Sequence, residues 1–269
     1  MKITSKTRKS HYWNEDRYII SDDFLMVIDG ATPLIKSNNF NEACWMVNYI
    51  KKNINKYKGK VLDRLYQISK DAYKALPVKI KEEDYLPSAS LSYIEWDDEY
   101  YYANTLGDCE VTFITNDDIV VRCYTDELSI LDNIVIEKMK DLKNEKNIHL
   151  VHTRPYVNEI LIKHRKLINK IDGYSAFALM EEPIIKLNTL KIKKEEVKEI
   201  YIYSDGFSQS FEHLNIYQNH EQMFKKSLDL DEEIKKIENV SFSDPYCDKY
   251  PRLKKIDDIT VIKVENKTN

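Results

Sequence analysis

The hydrophobic pattern predicts an α+β fold, with antiparallel sheets covered by helix pairs. Runs of β-branched and aromatic residues with strand character occur at both ends of the chain. A third block of them, Ser88 to Thr125, is cut by turn signals at Asp97-Asp98, Gly107-Asp108 and Asn116-Asp117-Asp118. Between these blocks lie stretches whose apolar residues recur at helical spacing. Because strands at both termini flank the helices, the two ends are expected in one sheet system, within a single domain spanning 1–269.

In chain order, the first stretch to Ile28 reads as two strands joined by a turn at Ser21-Asp22-Asp23. A helix follows from about Asn39, with Phe40, Ala43, Cys44, Val47 and Ile50 on one face and Asn39 paired with Glu42 as a cap. Val61, Leu65, Ile68 and Ala72 form the stripe of a second helix that ends before Pro77. The block from Ser88 reads as a four-strand antiparallel meander rich in Tyr100, Tyr101, Tyr102, Val111, Phe113 and Val120-Val121. Helical spacing resumes at Leu128, Leu131, Val135, Met139 and Leu142, and again from Tyr156 to Ile168. Asp172-Gly173 turns into a short strand. A strand ending at Asp205 precedes polar, weakly helical segments to about Glu238, and Ile259 to Val264 forms the last strand.

Hydrophobic residues make up 42% of the chain, which excludes a disordered polymer. Lys+Arg 41 nearly balances Asp+Glu 45, and a net charge of -4 offers no electrostatic case for a nucleic-acid or membrane partner. No apolar run is long enough to span a bilayer, and the polar start Met1-Lys2-Ile3-Thr4-Ser5-Lys6 is not a secretory signal, so the chain reads as cytosolic. Cys44, Cys109, Cys123 and Cys247 lack CxxC spacing and read as buried free thiols.

Acidic residues gather at the ends of apolar runs. Asn14-Glu15-Asp16 precedes Tyr18-Ile19-Ile20, Phe24 to Ile28 runs into Asp29-Gly30, Ile200 to Ser204 runs into Asp205-Gly206, and Asp257-Asp258 precedes Ile259 to Ile262. Carboxylates delivered by strand tips at one sheet edge suit hard divalent cations, and glycine permits close backbone approach. Glu15, Asp16, Asp29, Gly30, Asp108, Asp205 and Asp257 form the candidate set. Singly, each Asp-Gly is also an ordinary turn signal.

Their order is more specific. Asn14-Glu15-Asp16, Val27-Ile28-Asp29-Gly30, Leu106-Gly107-Asp108, Tyr203-Ser204-Asp205-Gly206 and Asp257-Asp258-Ile259-Thr260 resemble the ordered motifs of the metal-dependent type 2C (PPM) serine/threonine protein phosphatases of bacterial type. The resemblance implies a four-layer α-β-β-α sandwich and hydrolysis of phosphomonoesters on a phosphorylated protein by a water between two Mg or Mn ions. It would make Asp29 the bridging carboxylate and the Gly30 carbonyl a ligand, with Glu15 holding one ion or its water. Asp205 and Asp257 would complete the other ion's shell, Asp16 would act from outside it, and Asp108 with Asp205 would remain for a third, weaker ion.

The chain also departs from the family pattern. His11 stands where bacterial members carry the phosphate-gripping Arg, and it lacks the bidentate guanidinium fork. Ala31 follows the Asp29-Gly30 pair where animal members place a His, Gln209 stands where another Asp usually follows, and Asp258 replaces an Asn and adds negative charge. Three functions compete: an active phosphatase using Asp29, Asp205 and His11, a catalytically weak regulatory module, and a small-molecule phosphatase. A nuclease is disfavoured by the lack of a basic field. His149 and His152 near Arg154, together with His213 and His220, read as surface. His164-Arg165-Lys166 reads as a basic helix face, with a secondary anion contact as its alternative.

Overall fold

The computed structural model describes residues 1–34, 40–78 and 86–266. Two antiparallel sheets stack face to face, each covered outside by helices. The first has the order β1 (Lys2–Arg8), β11 (Ile259–Glu265), β10 (Val197–Tyr203), β6 (Glu110–Thr115), β7 (Val120–Cys123). The second has the order β2 (Asp16–Ile20), β3 (Phe24–Gly30), β4 (Ser88–Trp96), β5 (Tyr100–Leu106), β9 (Asn188–Lys193), with β8 (Phe177–Ala178) beside one end of β4.

The central strands are apolar on both faces because each face meets a different layer. In β3, Leu25 and Val27 join Val111, Phe113, Ile200, Ile202 and Ile262 between the sheets. Phe24, Met26 and Ile28 face outward onto α1 (Glu42–Asn53) and α2 (Val61–Ala75), meeting Met46, Val47, Ile50, Leu65 and Ile68. On the opposite outer face, Tyr201, Tyr203 and Val261 pack beneath α5 (Asp205–Glu212), α6 (His220–Met223) and α7 (Leu230–Ser243) through Phe207, Met223, Ile234 and Ile237. Each such side chain, fully removed from water, contributes roughly 1.5–3 kcal/mol. The outcome is the four-layer α-β-β-α sandwich.

Local readings changed in four places. The amino-terminal stretch holds three strands, because Lys2–Arg8 pairs with β11 from Lys2 opposite Glu265 to Arg8 opposite Ile259. It is an edge strand whose single large apolar residue, Ile3, is exposed, so it has no hydrophobic alternation to read. The first helix is capped by Asn41, whose side chain accepts from the Cys44 N–H at 2.7 Å; Asn39, the expected cap, lies outside the described residues. The meander is split, since β4 and β5 lie in one sheet and β6 and β7 in the other. The chain crosses at Gly107, whose φ of +75° and closeness to Ser90 leave no room for a side chain. Finally, Asp205 starts α5 rather than ending a strand, and the last long helix runs to Ser243.

The segment between β7 and β8 does not cover a sheet. There α3 (Glu127–Lys146), a 3-10 stretch Leu150–Val157 and α4 (Asn158–Arg165) bury Val135, Met139, Leu142, Leu150, Val157 and Leu161 in a separate small cluster. All four cysteines are buried and free, as their spacing suggested. Among the described residues, no helix is long and apolar enough to cross a membrane.

Candidate metal centre

The β2–β3 pairing sets Asp16 directly opposite Asp29, and β3–β4 sets Asp29 opposite Ser90. Backbone bonds hold the end of β3 in place. The Gly30 N–H donates to the Glu15 carbonyl at 3.0 Å and the Ala31 N–H to the Ser88 carbonyl at 2.9 Å. A Cβ at Gly30 would lie 2.9 Å from the Glu15 carbonyl oxygen, so this approach depends on glycine. Asp108 enters from the sheet-to-sheet crossing, where its N–H donates to Ser90 Oγ at 3.2 Å. Asp205 enters at the start of α5, and Asp257 just ahead of β11.

These four aspartates line one pocket of about 690 Å³, together with His11, Gln209 and Lys254. Ligand atoms of Asp29, Asp108 and Cys109 lie within 4.8 Å of one another. Burial, then the charges of Asp16, Asp205, Asp108 and Asp257, push the Asp29 carboxyl well above the ordinary carboxylate range. Burial followed by Asp257 and Asp108 does the same to Asp205. Burial also raises Asp108, although its bond to Ser90 works against the rise. These carboxylates destabilise one another in the charged state, which is the electrostatic condition a divalent cation relieves.

The donor set fits magnesium or manganese. The converging atoms are carboxylate oxygens. Among the described residues, Asp205 Oδ1 and Asp16 Oδ1 are buried without a hydrogen-bond partner, so each retains an uncommitted lone pair. Burial, then the neighbouring aspartates, raise the Cys109 thiol and oppose its thiolate.

The remaining candidates sit at different depths. Asp16 is fully buried behind the pocket, with Oδ2 accepting from Ser204 Oγ at 2.7 Å. The Glu15 carboxylate accepts from Thr32 Oγ1 at 2.5 Å and Asn41 Nδ2 at 2.6 Å, which turns it toward the α1 cap. His11 lies exposed at the pocket edge. Asp258, read from the sequence as added charge at the site, does add to the field that raises Asp16 and is also a structural clamp. It accepts from the Ser10 N–H at 2.6 Å, Ser10 Oγ at 2.8 Å and the Glu15 N–H at 2.6 Å.

His149 and His152 are exposed outside the pocket, with His149 on Asp248 at 2.6 Å and stacked on Tyr246. His213 and His220 are half-buried, not surface residues: His213 lines the pocket and His220 Nδ1 lies 3.2 Å from Arg122 Nη1. Asp132, Arg154 and Lys254 also line the pocket and belong to none of the sequence motifs. Asp132 has one available signal, since Leu128, Asp132 and Ile136 follow one another at helical i, i+4 spacing and all line the pocket. Lys254 Nζ lies 2.9 Å from both oxygens of Asp257. Burial opposes the Lys254 charge, but Asp257, Asp205 and Asp29 outweigh it and hold the ammonium pKa up.

Neither family sequence models nor the curated proteins contain a match to this chain. Solved structures do match. The chain is similar to the serine/threonine phosphatase Stp1 from Staphylococcus aureus at 10% identity and a TM-score of 0.57, over 99% of this chain and 95% of that one. It is similar to the Mycobacterium tuberculosis serine/threonine phosphatase PstP/Ppp at 10% identity and a TM-score of 0.60, over 99% of each. A structure of the PstP catalytic domain in complex with two manganese ions matches at 12% identity and a TM-score of 0.54, over 98% of this chain and 97% of that one. With two stacked antiparallel sheets, outer helices and near-complete overlap with these enzymes, the chain has the fold of the bacterial type 2C serine/threonine phosphatases.

Proposed function

We propose that residues 1–269 form one Mg- or Mn-dependent phosphatase domain that hydrolyses phosphoserine or phosphothreonine in proteins. The observation that carries this is the convergence of Asp29, Asp108, Asp205 and Asp257, from four separate parts of the chain, in one pocket. Two ions, as in the manganese complex of the PstP catalytic domain, would neutralise phosphate charge and lower the pKa of the attacking water. In this reading Asp29, Asp205 and Asp257 would hold the two ions, and Asp108 with Asp205 would hold a third, weaker one. Gly30 would add its backbone carbonyl. Asp16 supports the cluster from behind, bonded to Ser204, and Glu15 acts from the α1 side.

One observation favours a weaker activity. Lys254 already neutralises Asp257, so a cation must displace its ammonium or share the carboxylate. That supports the alternative of a regulatory module with slow hydrolysis. The test is turnover of p-nitrophenyl phosphate and a phosphothreonine peptide, with manganese and with EDTA. Manganese-dependent release of phosphate from the peptide, lost in Asp29→Ala and Asp205→Ala, is expected. Manganese binding by calorimetry without turnover of either substrate would leave the module reading, and turnover of the small ester alone would identify a small-molecule phosphatase.

A further inference from the structure

The exposed His11 leaves the pocket without a guanidinium at the position where the sequence motif carries one. Two guanidiniums reach the same pocket from elsewhere. Arg154 comes from the 3-10 stretch Leu150–Val157, and Arg165 is the last residue of α4, both parts of the small helical cluster between β7 and β8. Arg165 is tied to the metal-centre backbone. Its Nη2 donates to the Thr32 carbonyl and its Nη1 to Ser88 Oγ, each at 3.4 Å, and Ser88 in turn accepts from Ala31, next to Gly30.

Both arginines are half-buried, and their charges lack close carboxylate partners. Arg154 Nη1 also donates to Asn158 Oδ1 at 2.9 Å, and Arg165 also bonds to the Tyr174 hydroxyl. Among the described residues, neither guanidinium has a carboxylate oxygen within 4 Å. Burial lowers the Arg154 pKa; Asp132 from α3 opposes the fall and Arg165 adds to it, which puts the two cations within each other's field. Two adjacent guanidiniums that spend few of their donors, and only on neutral acceptors, form a site for a doubly charged anion. Lys254 does not supply this function, because Asp257 already holds it.

We propose that Arg154 and Arg165 bind the dianionic phosphoryl group of a phosphomonoester and hold it against the aspartate floor, in place of the arginine missing at His11; as a role in catalysis this rests on the phosphatase reading above. A guanidinium fork matches two phosphate oxygens, a geometry that an imidazole or ammonium lacks. The helical cluster then determines which phosphoesters are gripped, because it carries both residues.

The experiment measures inorganic phosphate binding to the manganese-loaded protein by calorimetry, with KM and kcat for the phosphothreonine peptide measured separately. Variants are Arg154→Met, Arg165→Met, Arg165→Lys, His11→Ala and, as a control on the same helix, the exposed Lys163→Met. Phosphate affinity is expected to fall about 10- to 100-fold in each Arg→Met variant, the scale of a lost charge-assisted hydrogen bond. Manganese affinity and melting temperature should be unchanged, KM should rise more than kcat falls, Arg165→Lys should recover only part, and His11→Ala should lose less. Wild-type phosphate affinity retained in Arg154→Met and Arg165→Lys would overturn the proposal, even if Arg165→Met fails to fold. So would an equal loss in Lys163→Met, or a wild-type protein that binds no phosphate. A wild-type protein that binds phosphate through these arginines but turns over neither ester would overturn the phosphatase reading and leave the anion site standing.

Discussion

Asp258 shows how one carboxylate can serve the fold where its neighbour serves the site. Its two oxygens accept three hydrogen bonds from Ser10 and Glu15, fixing the loop that carries His11 beside β11. Asp258→Ala is therefore expected to cost about 2–4 kcal/mol in urea denaturation, because it strands two backbone N–H groups. Asp29 is the opposite case. Burial and four neighbouring aspartates oppose its ionised form, so Asp29→Asn should make the metal-free protein more stable. The same variant should lower manganese-dependent turnover by about 10²-fold or more, since charge placed at the reacting centre is typically worth that much. Denaturation in EDTA and a steady-state assay together read both effects; a variant less stable than wild type in EDTA would contradict the charge-repulsion account.

The elements are held in place by a few close approaches. A side chain on Gly206 would lie 1.9 Å from the Asp258 carbonyl oxygen, so α5 starts where it does only because that residue is glycine. Gly206→Ala should shift α5, and with it Asp205, at a cost of roughly 3 kcal/mol or more, measurable by chemical denaturation. Arg122 on β7 donates to the buried Glu110 carboxylate on β6 from Nε at 2.9 Å and Nη2 at 2.6 Å, while Tyr203 on β10 donates to it at 2.8 Å. Arg122→Met leaves Glu110 buried without its cation and is expected to cost about 3–5 kcal/mol, more than Arg122→Met combined with Glu110→Leu. A double variant as costly as Arg122→Met or costlier would contradict the account of a buried carboxylate left unpaired.

At the scale of the whole molecule, the acidic centre couples stability to pH and metal. Burial raises Asp16 from 3.8 to about 7, with the Ser204 bond opposing and Asp258 and Asp257 adding. A folded-state pKa above the unfolded value means that the native state holds the proton more tightly. The contribution from Asp16 is therefore lost as pH rises from about 4 to about 7, on the order of 1.4 kcal/mol per pKa unit at most. In EDTA the melting temperature should fall across that window, with a shallower slope in Asp16→Asn. Manganese at about 100 times its pH 8 Kd should add roughly 2.7 kcal/mol at pH 8, and the same concentration should add less at pH 5, where Kd is weaker. A melting temperature in EDTA that rises from pH 5 to pH 7 by the same amount in wild type and Asp16→Asn would refute the coupling.

Much of this was legible along the chain. The apolar runs of β3, β10 and β11 mark central strands because each buries both faces, and the stripe of α2 marks a helix against a sheet. Asp29, Asp108, Asp205 and Asp257 could be named because each sits beside a strand or turn with a short, recognisable pattern. Other features are invisible to any local window. β1 pairs along an edge and contributes no core, so its sequence has no hydrophobic period. Arg154 and Lys254 sit in segments whose own patterns describe only local burial, and the local signals of Asp132 (helical spacing) and Arg165 (a basic run) do not say what they face. The sequence by itself determined that helices cover antiparallel sheets and which carboxylates stand at strand ends, since periodicity and strand-end residues are local properties. Only the tertiary structure decided that two arginines and a lysine face the aspartate floor, because long-range packing sets how the small helical cluster docks.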